Sequence, residues 1–541
     1  MNLKNPYFKN ATAIGIISIA SFFVSPQYVN PYAVWIFYAS FLWFMRNANW
    51  KWMLFSIPFL IAANLKSQLD VLPMPAQIAA VIISVGTITG YLPFLVDRKL
   101  YHSLPRWIRI FSFPVLMSVY QIMIDQGPQG TWGNPVYTQY TFLPLMQIAS
   151  ITGIYAINFI IYWSAAYANE WLVTRKDKTA SPLMIHLMPV TFLLVIGFGL
   201  IRMNTSDKIT NEVKVAGIAL DNKNIVAEMY QAAFDKEISI PDHLTNADPL
   251  ILEAQKGMLK FLENPKDPTF SSVYEAMDNN FNKYTESTIE AAANGAKIIA
   301  WSEAAILNIT GREEPYQNKI ASLADSLDLF LLFPTAVIDP EKVGVADYFI
   351  ENKVLTYGPE GDLLNTYHKN VPVEGVEPVL PGDGNIPVID SPYGGLSPII
   401  CYDADHPQLI KQISTQETDL LIVPTGDWYA ISPYHTYMAG TRCIENGVSM
   451  LKATSHGLSA TVDPYGRLTS SYSFFDSEDG GTLEASMDIY SVNTFYTYGE
   501  RIFITAIQLS FLGMIIYLLI QFLFRRYRFY FNRKARTLVD A

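Results

Sequence analysis

The chain has 541 residues, a formal net charge of −11, 50% hydrophobic residues and a mean hydropathy of +0.18. Charged residues make up 16% of it, against about 25% in ordinary soluble proteins. The acidic balance gives no support for nucleic-acid binding, and two cysteines, Cys401 and Cys443, exclude a disulfide framework.

Long apolar segments fill the first two hundred residues and return near the C-terminus. Several approach the roughly 20 residues that a helix needs to cross a bilayer, and Trp43, Trp50 and Trp52 flank the shorter ones as interfacial aromatics do. The predicted transmembrane helices cover 11–25, 31–45, 52–65, 76–96, 108–124, 141–166, 182–202 and 502–524. Lys4 and Lys9 precede the first segment, but no small-residue cleavage site follows it, so we interpret it as a retained span.

The charges of the loops predict the orientation. Lysine and arginine occupy the N-terminus and every second loop, whereas the alternate loops hold almost none. These charges are Lys4, Lys9, Arg46, Lys51, Arg98, Lys99, Arg106, Arg109, Arg175, Lys176 and Lys178, and after the eighth segment Arg525, Arg526, Arg528, Arg533, Lys534 and Arg536. Because cytoplasmic loops carry the excess of positive charge, both termini are predicted in the cytoplasm and 203–501 on the far side.

One of the loops with no Lys or Arg, 125–140, is rich in glycine and proline and contains Trp132. This composition predicts an irregular loop on the same side as the large domain. Two interpretations stay open: the loop lines a substrate entrance, or it is a plain connector.

The segment 203–501 has ordinary soluble composition and alternates between strand and helix patterns. Strands are predicted at 213–220, 297–301, 329–338, 348–357, 363–368, in the run that ends at Cys401, at 419–424 and in a hairpin over 448–472. Helices are predicted within 245–294 and near 315–327, 407–415 and 433–446. Apolar strands that alternate with helices predict an α/β domain whose sheet is covered by helices.

Three predicted strands end in residues that carry chemistry: Glu303, Lys369 and Cys401. A carboxylate, an ammonium and a thiol in one cleft suit acyl transfer through a thioester. The carboxylate removes the thiol proton, because the thiolate is the nucleophile. The cation stabilises the oxyanion and lowers the thiol pKa. Each residue also has a structural explanation: Cys401 as a small buried apolar residue, Glu303 as a helix N-terminal charge, and Lys369 as a solvated loop charge.

A Cys–His dyad is the rival scheme for activating the thiol. His406 lies too near Cys401 in sequence to be an obvious partner and is better explained as a loop cap, while His435 is the other candidate. The seven histidines show no spacing typical of metal ligands, so neither a catalytic metal nor a cofactor is expected.

Short motifs around these residues resemble the nitrilase superfamily, whose members use a Glu-Lys-Cys triad in an αββα sandwich. They are Trp301-Ser-Glu303-Ala, Tyr367-His-Lys369-Asn, Ile400-Cys401-Tyr402, Gly426-Asp-Trp428, Arg442-Cys-Ile-Glu445, Lys452 through Gly457, and Asp463 through Arg467. Together with the apolar segments, almost the whole chain is similar to the apolipoprotein N-acyltransferase family. That family has eight spans, with the nitrilase domain inserted before the last.

The resemblance implies a multi-domain membrane protein with an eight-span helical domain and an αββα catalytic domain. Its parts are 1–202 with seven spans, 203–501 as the extracytoplasmic catalytic domain, and 502–541 as the eighth helix with a basic cytoplasmic tail. The implied roles are Glu303 as general base, Lys369 as oxyanion stabiliser and Cys401 as nucleophile.

The resemblance also points to supporting residues, and here the sequence departs from the family. Tyr402 matches a position that the family uses beside the cysteine, whereas Asp403 stands where glutamate is usual. The loop after Lys369 is short, so the family's second glutamate falls on Glu374 or Glu377, and we favour Glu374.

The implied reaction transfers an acyl chain from a phospholipid, through a thioester on Cys401, to the α-amine of the N-terminal cysteine of a diacylglyceryl-apolipoprotein. The enzyme is expected in the bacterial inner membrane as a monomer, with its catalytic domain periplasmic. One alternative is a membrane-tethered amidase or nitrilase that uses water. Another is a transporter or receptor with a relic of the domain, against which the intact triad and the lack of a row of charges in the spans argue.

Overall fold

The structure, a computed structural model, describes residues 6–101, 103–174, 182–205, 212–241 and 249–539. Lys4, Arg175, Lys176 and Lys178, which contribute to the predicted charge alternation, lie outside these ranges. The described residues form a helical part, made of the N-terminal helices and the last helix, and an α/β part between them.

Helices precede the first strand throughout the described N-terminal residues. They are α1 (Pro6–Phe22), α2 (Ala33–Asn47), α3 (Trp50–Gln68), α4 (Ala76–Thr89), α5 (Leu92–Tyr101), α6 (Arg106–Asp125), α7 (Leu143–Met146), α8 (Ala149–Thr152), α9 (Tyr155–Thr174) and α10 (Pro182–Asn204). Arg46 pairs with Asp97 at 2.8 Å, and Arg109 pairs with Glu170 at 2.5 Å. Two of the predicted loop charges are thus neutralised by acidic residues of neighbouring helices.

Four helical stretches among the described residues are long and apolar enough to cross a membrane. They are Ala76–Tyr101, which joins α4 and α5, then Ile108–Asp125, His186–Asn204 and Tyr496–Phe524. α1 and α2 have only 17 and 15 residues, below the roughly 20 that a span needs. The predicted sixth segment is interrupted at Gly153, which has a φ of +61°, and α9 begins only after it. These helices establish an apolar membrane-type domain but not the count of eight spans.

The α/β part contains twelve strands and the helices that cover them. The strands are β1 (Glu212–Leu220), β2 (Ile298–Trp301), β3 (Ile306–Ile309), β4 (Phe330–Ile338), β5 (Ile350–Tyr357), β6 (Leu363–His368), β7 (Leu396–Pro398), β8 (Leu420–Gly426), β9 (Ser449–Ser455), β10 (Leu458–Val462), β11 (Leu468–Ser473) and β12 (Gly480–Asp488). The helices are α11 (Lys223–Phe234), α12 (Pro249–Glu263), α13 (Ser271–Ala293), α14 (Glu314–Leu327), α15 (Pro407–Ile410) and α16 (Tyr434–Asn446), and α17 (Tyr496–Val539) follows the sheets.

Two sheets pack face to face between layers of helices. The first has the order β12-β1-β2-β4-β5-β6, with β3 also paired to β4, and the second has the order β11-β10-β9-β8-β7. Ala300 and Leu332 of the first sheet share one core with Leu421 and Leu451 of the second. On the outer faces, α13 and α14 pack against the first sheet through a separate core, and α16 packs against the second. Burial of both faces of each sheet explains why the strands are so apolar.

Strand direction explains why the candidate residues meet. β2 and β4 are parallel, β5 is antiparallel to β4, and β6 is antiparallel to β5. β2, β4 and β6 therefore end at the same edge of the first sheet, where Glu303 follows β2 and Lys369 follows β6. The parallel strands β7 and β8 of the second sheet lead to Cys401 and to Gly426.

Some elements differ from the sequence-based expectations. The helical region 245–294 is divided into α12 and α13 by a segment with Pro265 and Pro268, and its first residues, 245–248, lie outside the described ranges. The hairpin over 448–472 is a three-stranded meander, because the chain also turns between β9 and β10. β3 and β12 were not expected, and β12 pairs with β1 along its full length.

Candidate active site

Glu303 lies two residues beyond β2, and its side chain is only 9% exposed. One carboxylate oxygen, Oε1, accepts hydrogen bonds from Lys369 Nζ at 2.9 Å and from Asn352 Nδ2 at 2.8 Å. The other oxygen, Oε2, accepts the backbone N–H of Gly426 at 2.9 Å. These three donors, from three separate elements, fix the carboxylate in one orientation. Sequence reasoning missed Asn352, which belongs to none of the motifs, and it placed Gly426 in the motif Gly426-Asp-Trp428 without recognising its N–H as a donor to Glu303.

Lys369 is fully buried between two carboxylates. Its Nζ lies 2.9 Å from Glu303 Oε1 and 2.8 Å from Glu377. Burial alone would lower the pKa of Lys369, but the negative charges of Glu303 and Glu377 outweigh it and raise that pKa well above its ordinary value. Lys369 is therefore a fixed cation at neutral pH.

The structure brings Glu377, not Glu374, to Lys369, which corrects the preference for Glu374. Residues 373–377 form a single helical turn, in which the N–H of Glu377 bonds back to the carbonyl oxygen of Val373. The Glu377 carboxylate also accepts the N–H of Val373 at 3.0 Å, so its side chain points toward the lysine. Glu374, at the start of the same turn, is exposed.

Cys401 opens a 3₁₀ turn over Cys401–Asp405 and does not end a strand as expected. β7 stops at Pro398, and the Asp403 carboxylate then accepts the N–H of Ile400 at 3.0 Å, which replaces continued strand pairing. Cys401 has a φ of +46°, a left-handed conformation that costs a residue other than glycine about 1 kcal/mol or more. The surrounding contacts must hold this strain.

The thiol of Cys401 lies between Glu303 and the end of β8. Its Sγ is 3.7 Å from the carbonyl oxygen of Gly426, and Glu303 lies near enough to interact with the thiol. Burial and the charge of Glu303 raise the pKa of Cys401 well above its ordinary value, and Lys369 offsets only part of this rise. Burial would also raise the pKa of Glu303, but Lys369 holds it below the ordinary value. The resting pair is thus a protonated thiol beside an ionised carboxylate.

Tyr402, predicted as a supporting residue, is half-buried and faces the helical part of the protein. Its hydroxyl donates to the carbonyl oxygen of Pro128 at 3.4 Å, and its ring meets His406 edge-on at 5.0 Å. Tyr402 therefore contacts the loop 125–140, not the Glu303–Lys369 pair.

Asp403 is fully buried and connects the cysteine turn to the lysine loop. Besides the N–H of Ile400, its carboxylate accepts the N–H of Val371 at 2.7 Å and the hydroxyl of Tyr367 at 2.8 Å. Burial raises the pKa of Asp403 to about 6, although these hydrogen bonds oppose the rise. The role that the geometry gives Asp403 is to fix the position of Cys401 relative to Lys369.

A cluster of buried charged side chains, His435, Asp427, Asp405 and Lys452, lies next to Cys401. His435 Nδ1 is 2.5 Å from Asp427 Oδ1, His435 Nε2 is 3.3 Å from Asp405 Oδ1, and Lys452 Nζ is 3.3 Å from Asp427 Oδ2. Burial would lower the pKa of His435, but the two carboxylates raise it to about 9. Sequence reasoning considered His435 only as the partner of a Cys–His dyad. Because both of its ring nitrogens face carboxylates, His435 is not placed to be the base for Cys401.

The donor atoms of Cys401, Asp427 and His435 lie within 4.8 Å of one another. Thiolate, carboxylate and imidazole are all zinc ligands. Here, however, the carboxylate of Asp427 is already paired with His435 and with the ammonium of Lys452. Two cations beside the only carboxylate of the set fit a salt-bridge network better than a metal centre.

Comparison with known proteins assigns this site to a class. Residues 268–494 match the family model of carbon-nitrogen hydrolases, and the match includes Glu303, Lys369 and Cys401. The apolipoprotein N-acyltransferase of Borreliella burgdorferi is 24% identical over 402 residues, which cover 71% of this chain and 71% of that protein. The one from Pseudomonas syringae pv. tomato is 28% identical over 417 residues, or 70% of this chain and 71% of that protein.

Among solved structures, Saccharomyces cerevisiae Nit3, a member of branch 10 of the nitrilase superfamily, aligns with a TM-score of 0.37 and 18% identity over 52% of this chain and 92% of that chain. Residues 268–494 of this chain are thus similar to carbon-nitrogen hydrolases. The two relatives named above, each matched over 71% of its length, are apolipoprotein N-acyltransferases.

Proposed function

We propose that the chain is a membrane N-acyltransferase that carries an acyl chain on Cys401 from a phospholipid to the α-amine of a lipidated apolipoprotein. The observation that carries the proposal is the contact of Glu303 with both Lys369 and the Cys401 thiol, in a protein with several apolar helices. Both substrates are lipids, which explains why a thioester enzyme is built into a membrane domain.

In the first half-reaction, Glu303 takes the proton of the Cys401 thiol, and the sulfur attacks the ester carbonyl carbon of the phospholipid. The ammonium of Lys369 stabilises the negative charge that develops on the carbonyl oxygen. The carbon–oxygen ester bond then breaks, and Glu303 returns the proton to the departing glycerol oxygen. The products are a lysophospholipid and an acyl thioester on Cys401.

In the second half-reaction, the α-amine of the acceptor attacks the thioester carbonyl, and Glu303 takes a proton from the amine nitrogen. The carbon–sulfur bond breaks, an amide forms, and the proton passes to the sulfur of Cys401. Glu303 therefore serves twice as acid and base, which its three fixed hydrogen bonds support because they hold one geometry for both steps.

The assay uses full-length protein in detergent micelles with acyl-labelled phospholipid and a diacylated lipopeptide that has a free amine. The expected product is a triacylated peptide, formed with ping-pong kinetics, and Cys401→Ser should yield none. Labelled free fatty acid as the main product, with no amide, would instead indicate the amidase-type hydrolase that uses water.

We also propose eight spans over 1–202 and 502–541, cytoplasmic termini and a periplasmic catalytic domain over 203–501, acting as a monomer. The alternation of loop charges supports this topology. A reporter that is active only outside the cytoplasm should be active when inserted at Gly344, an exposed turn, and silent when fused after Ala541. Activity in the opposite pattern would overturn the orientation.

A further inference from the structure

We propose that the loop 127–134, between α6 and α7, is a positioning element that holds the turn carrying the nucleophile. The proposal rests on the proposed function of Cys401 and adds residues of the helical part to the machinery of that site. Gly130 and Thr131 approach the turn most closely. Neither touches Glu303 or Lys369.

The loop contacts the turn Cys401–Asp405 at both of its ends. The backbone N–H of Thr131 donates to the carbonyl oxygen of Asp405 at 2.9 Å, and the Thr131 hydroxyl donates to the same oxygen at 2.8 Å. At the other end, Tyr402 donates to the carbonyl oxygen of Pro128 at 3.4 Å. These hydrogen bonds join residues that are 274 positions apart in the sequence, at the turn that carries the thiol.

Thr131 is itself fixed by a chain of buried hydrogen bonds. Arg442 Nη2 donates to the Tyr137 hydroxyl at 2.6 Å, and the Tyr137 hydroxyl donates to Thr131 Oγ1 at 2.6 Å. Thr131 then donates to Asp405, so every hydroxyl in the chain has one donor and one acceptor role. Asn134 stabilises the end of the loop through a 2.7 Å bond to Asp125. A loop anchored in this way can resist movement of the turn that it touches.

The turn needs such support. Within it, the backbone bonds from Asp403 to Ile400 and from His406 to Asp403 close the 3₁₀ geometry, while Cys401 is held at a φ of +46°. A strained residue persists only where its surroundings determine its conformation. The carboxylate of Asp403 fixes one side of the turn, and loop 127–134 fixes the carbonyl of Asp405 on the other.

Gly130 sets how closely the loop approaches. It is buried at a φ of +55°, and a Cβ placed on it would lie 2.6 Å from the carbonyl oxygen of Asp405 and 2.9 Å from His406 Cε1. Any side chain there must push the turn away from its position. Gly133, in the same loop at a φ of +75°, has nothing within 4 Å of its Cβ position. The two glycines share a left-handed backbone but differ in contact with the turn.

The test compares Gly130→Ala with Gly133→Ala in the full-length protein. Two rates are measured: alkylation of Cys401 by iodoacetamide, followed by peptide mass spectrometry, and formation of the acyl-enzyme from labelled phospholipid. Misplacing a reacting group by about 1 Å can cost about a hundredfold. We therefore expect Gly130→Ala to lower both the alkylation rate and the kcat of acylation roughly ten- to a hundredfold, with the KM for phospholipid within about twofold. Gly133→Ala should stay within about twofold of the wild type in each.

A second pair keeps the test decisive if Gly130→Ala does not fold. Thr131→Val keeps a similar shape but removes the hydrogen bond from the hydroxyl to Asp405. Because one lost hydrogen bond is worth about 1 kcal/mol, this variant should lower kcat about fivefold at unchanged KM. Thr131→Ser keeps the hydroxyl and should retain the wild-type kcat. Equal effects of the two glycine variants, or wild-type rates in Thr131→Val, would overturn the proposal. Wild-type protein that is alkylated at Cys401 but transfers no acyl group would refute the proposed function, while the alkylation comparison would still decide the role of the loop.

Discussion

Replacing Lys369 by methionine removes the only cation that contacts Glu303 among the described residues. The ammonium is fully buried, 2.9 Å from Glu303 and 2.8 Å from Glu377. Methionine fills similar space without charge. The change leaves two carboxylates facing each other in a buried site, so one of them must take a proton or the site must open.

The size of the effect follows from two separate losses. Loss of an oxyanion partner typically costs about a hundred- to a thousandfold in rate. In addition, burial raises the pKa of Glu303, and Lys369 is the main group that opposes it. Without Lys369 that pKa rises, and a smaller fraction of Glu303 is ionised to act as the base. The base is regained as the pH increases through the raised pKa, so acylation by Lys369→Met should increase with pH in a range where the wild-type rate is flat.

The assay is rapid-quench mass spectrometry of the acyl adduct on Cys401 in Lys369→Met, with Lys353→Met as the matched control. Lys353 also pairs with two carboxylates, Glu313 at 2.8 Å and Glu351 at 2.9 Å, but these lie outside the site. The control should acylate within about threefold of the wild type, since it leaves Glu303 and Cys401 untouched. Accumulation of the adduct at the wild-type rate in Lys369→Met would show that Lys369 is not at the oxyanion. Because the residues act as one unit, Glu303→Gln combined with Lys369→Met should cost far less than the product of the two single changes.

Two further changes test the groups around the site. Glu377→Gln should lower the acylation rate at least about tenfold, because one of the two negative charges beside the buried ammonium of Lys369 is lost, whereas Glu374→Gln, exposed on the same turn, should change it less than about twofold. Equal rates in the two variants would contradict the assignment of Glu377. The carboxylates of Asp427 and Asp405 raise the pKa of His435 to about 9, and Lys452 also faces this cluster. The charged His435 therefore stabilises the folded protein by about 3 kcal/mol below pH 6.5, and this stabilisation is lost as the pH rises through 9. Thermal unfolding from pH 6 to 10 should show this loss in the wild type and a flatter profile in His435→Gln, and equal profiles would mean that His435 is not charged in the folded protein.

Glu303 and Lys369 could be predicted to meet, because strands that run in the same direction end at one edge of a sheet. Cys401 follows β7 of the second sheet, so its approach to them depends on how the two sheets pack, which the strand pattern alone does not give. The strand and helix pattern of 203–501 could also be predicted, because the periodicity of apolar residues is a local property of the sequence.

Features that depend on turn geometry were not predictable. Choosing between Glu374 and Glu377 requires knowing that 373–377 close into one helical turn, which turns one carboxylate inward and the other outward. The left-handed conformation of Cys401 likewise depends on Asp403, whose bonds reach the lysine loop as well as the turn. Among the apolar segments, hydropathy marked the helices but not their exact lengths, because interruptions such as Gly153 follow from packing.

The burial of Cys401 fits a transferase better than a rapid hydrolase. A thiol that is hard to ionise is a poor leaving group toward water and amine alike, so the choice between them must come from access to the thioester. Cys401 is buried, with 8% of the residue exposed, and it lies in the turn that contacts loop 127–134, so water has little access to it. An acyl-enzyme of this kind persists until an amine arrives at a site where Glu303 is already ionised to take its proton. Slow loss to water and fast transfer to an amine are what a two-step reaction between two membrane lipids requires, because the second substrate must diffuse to the enzyme after the first has left.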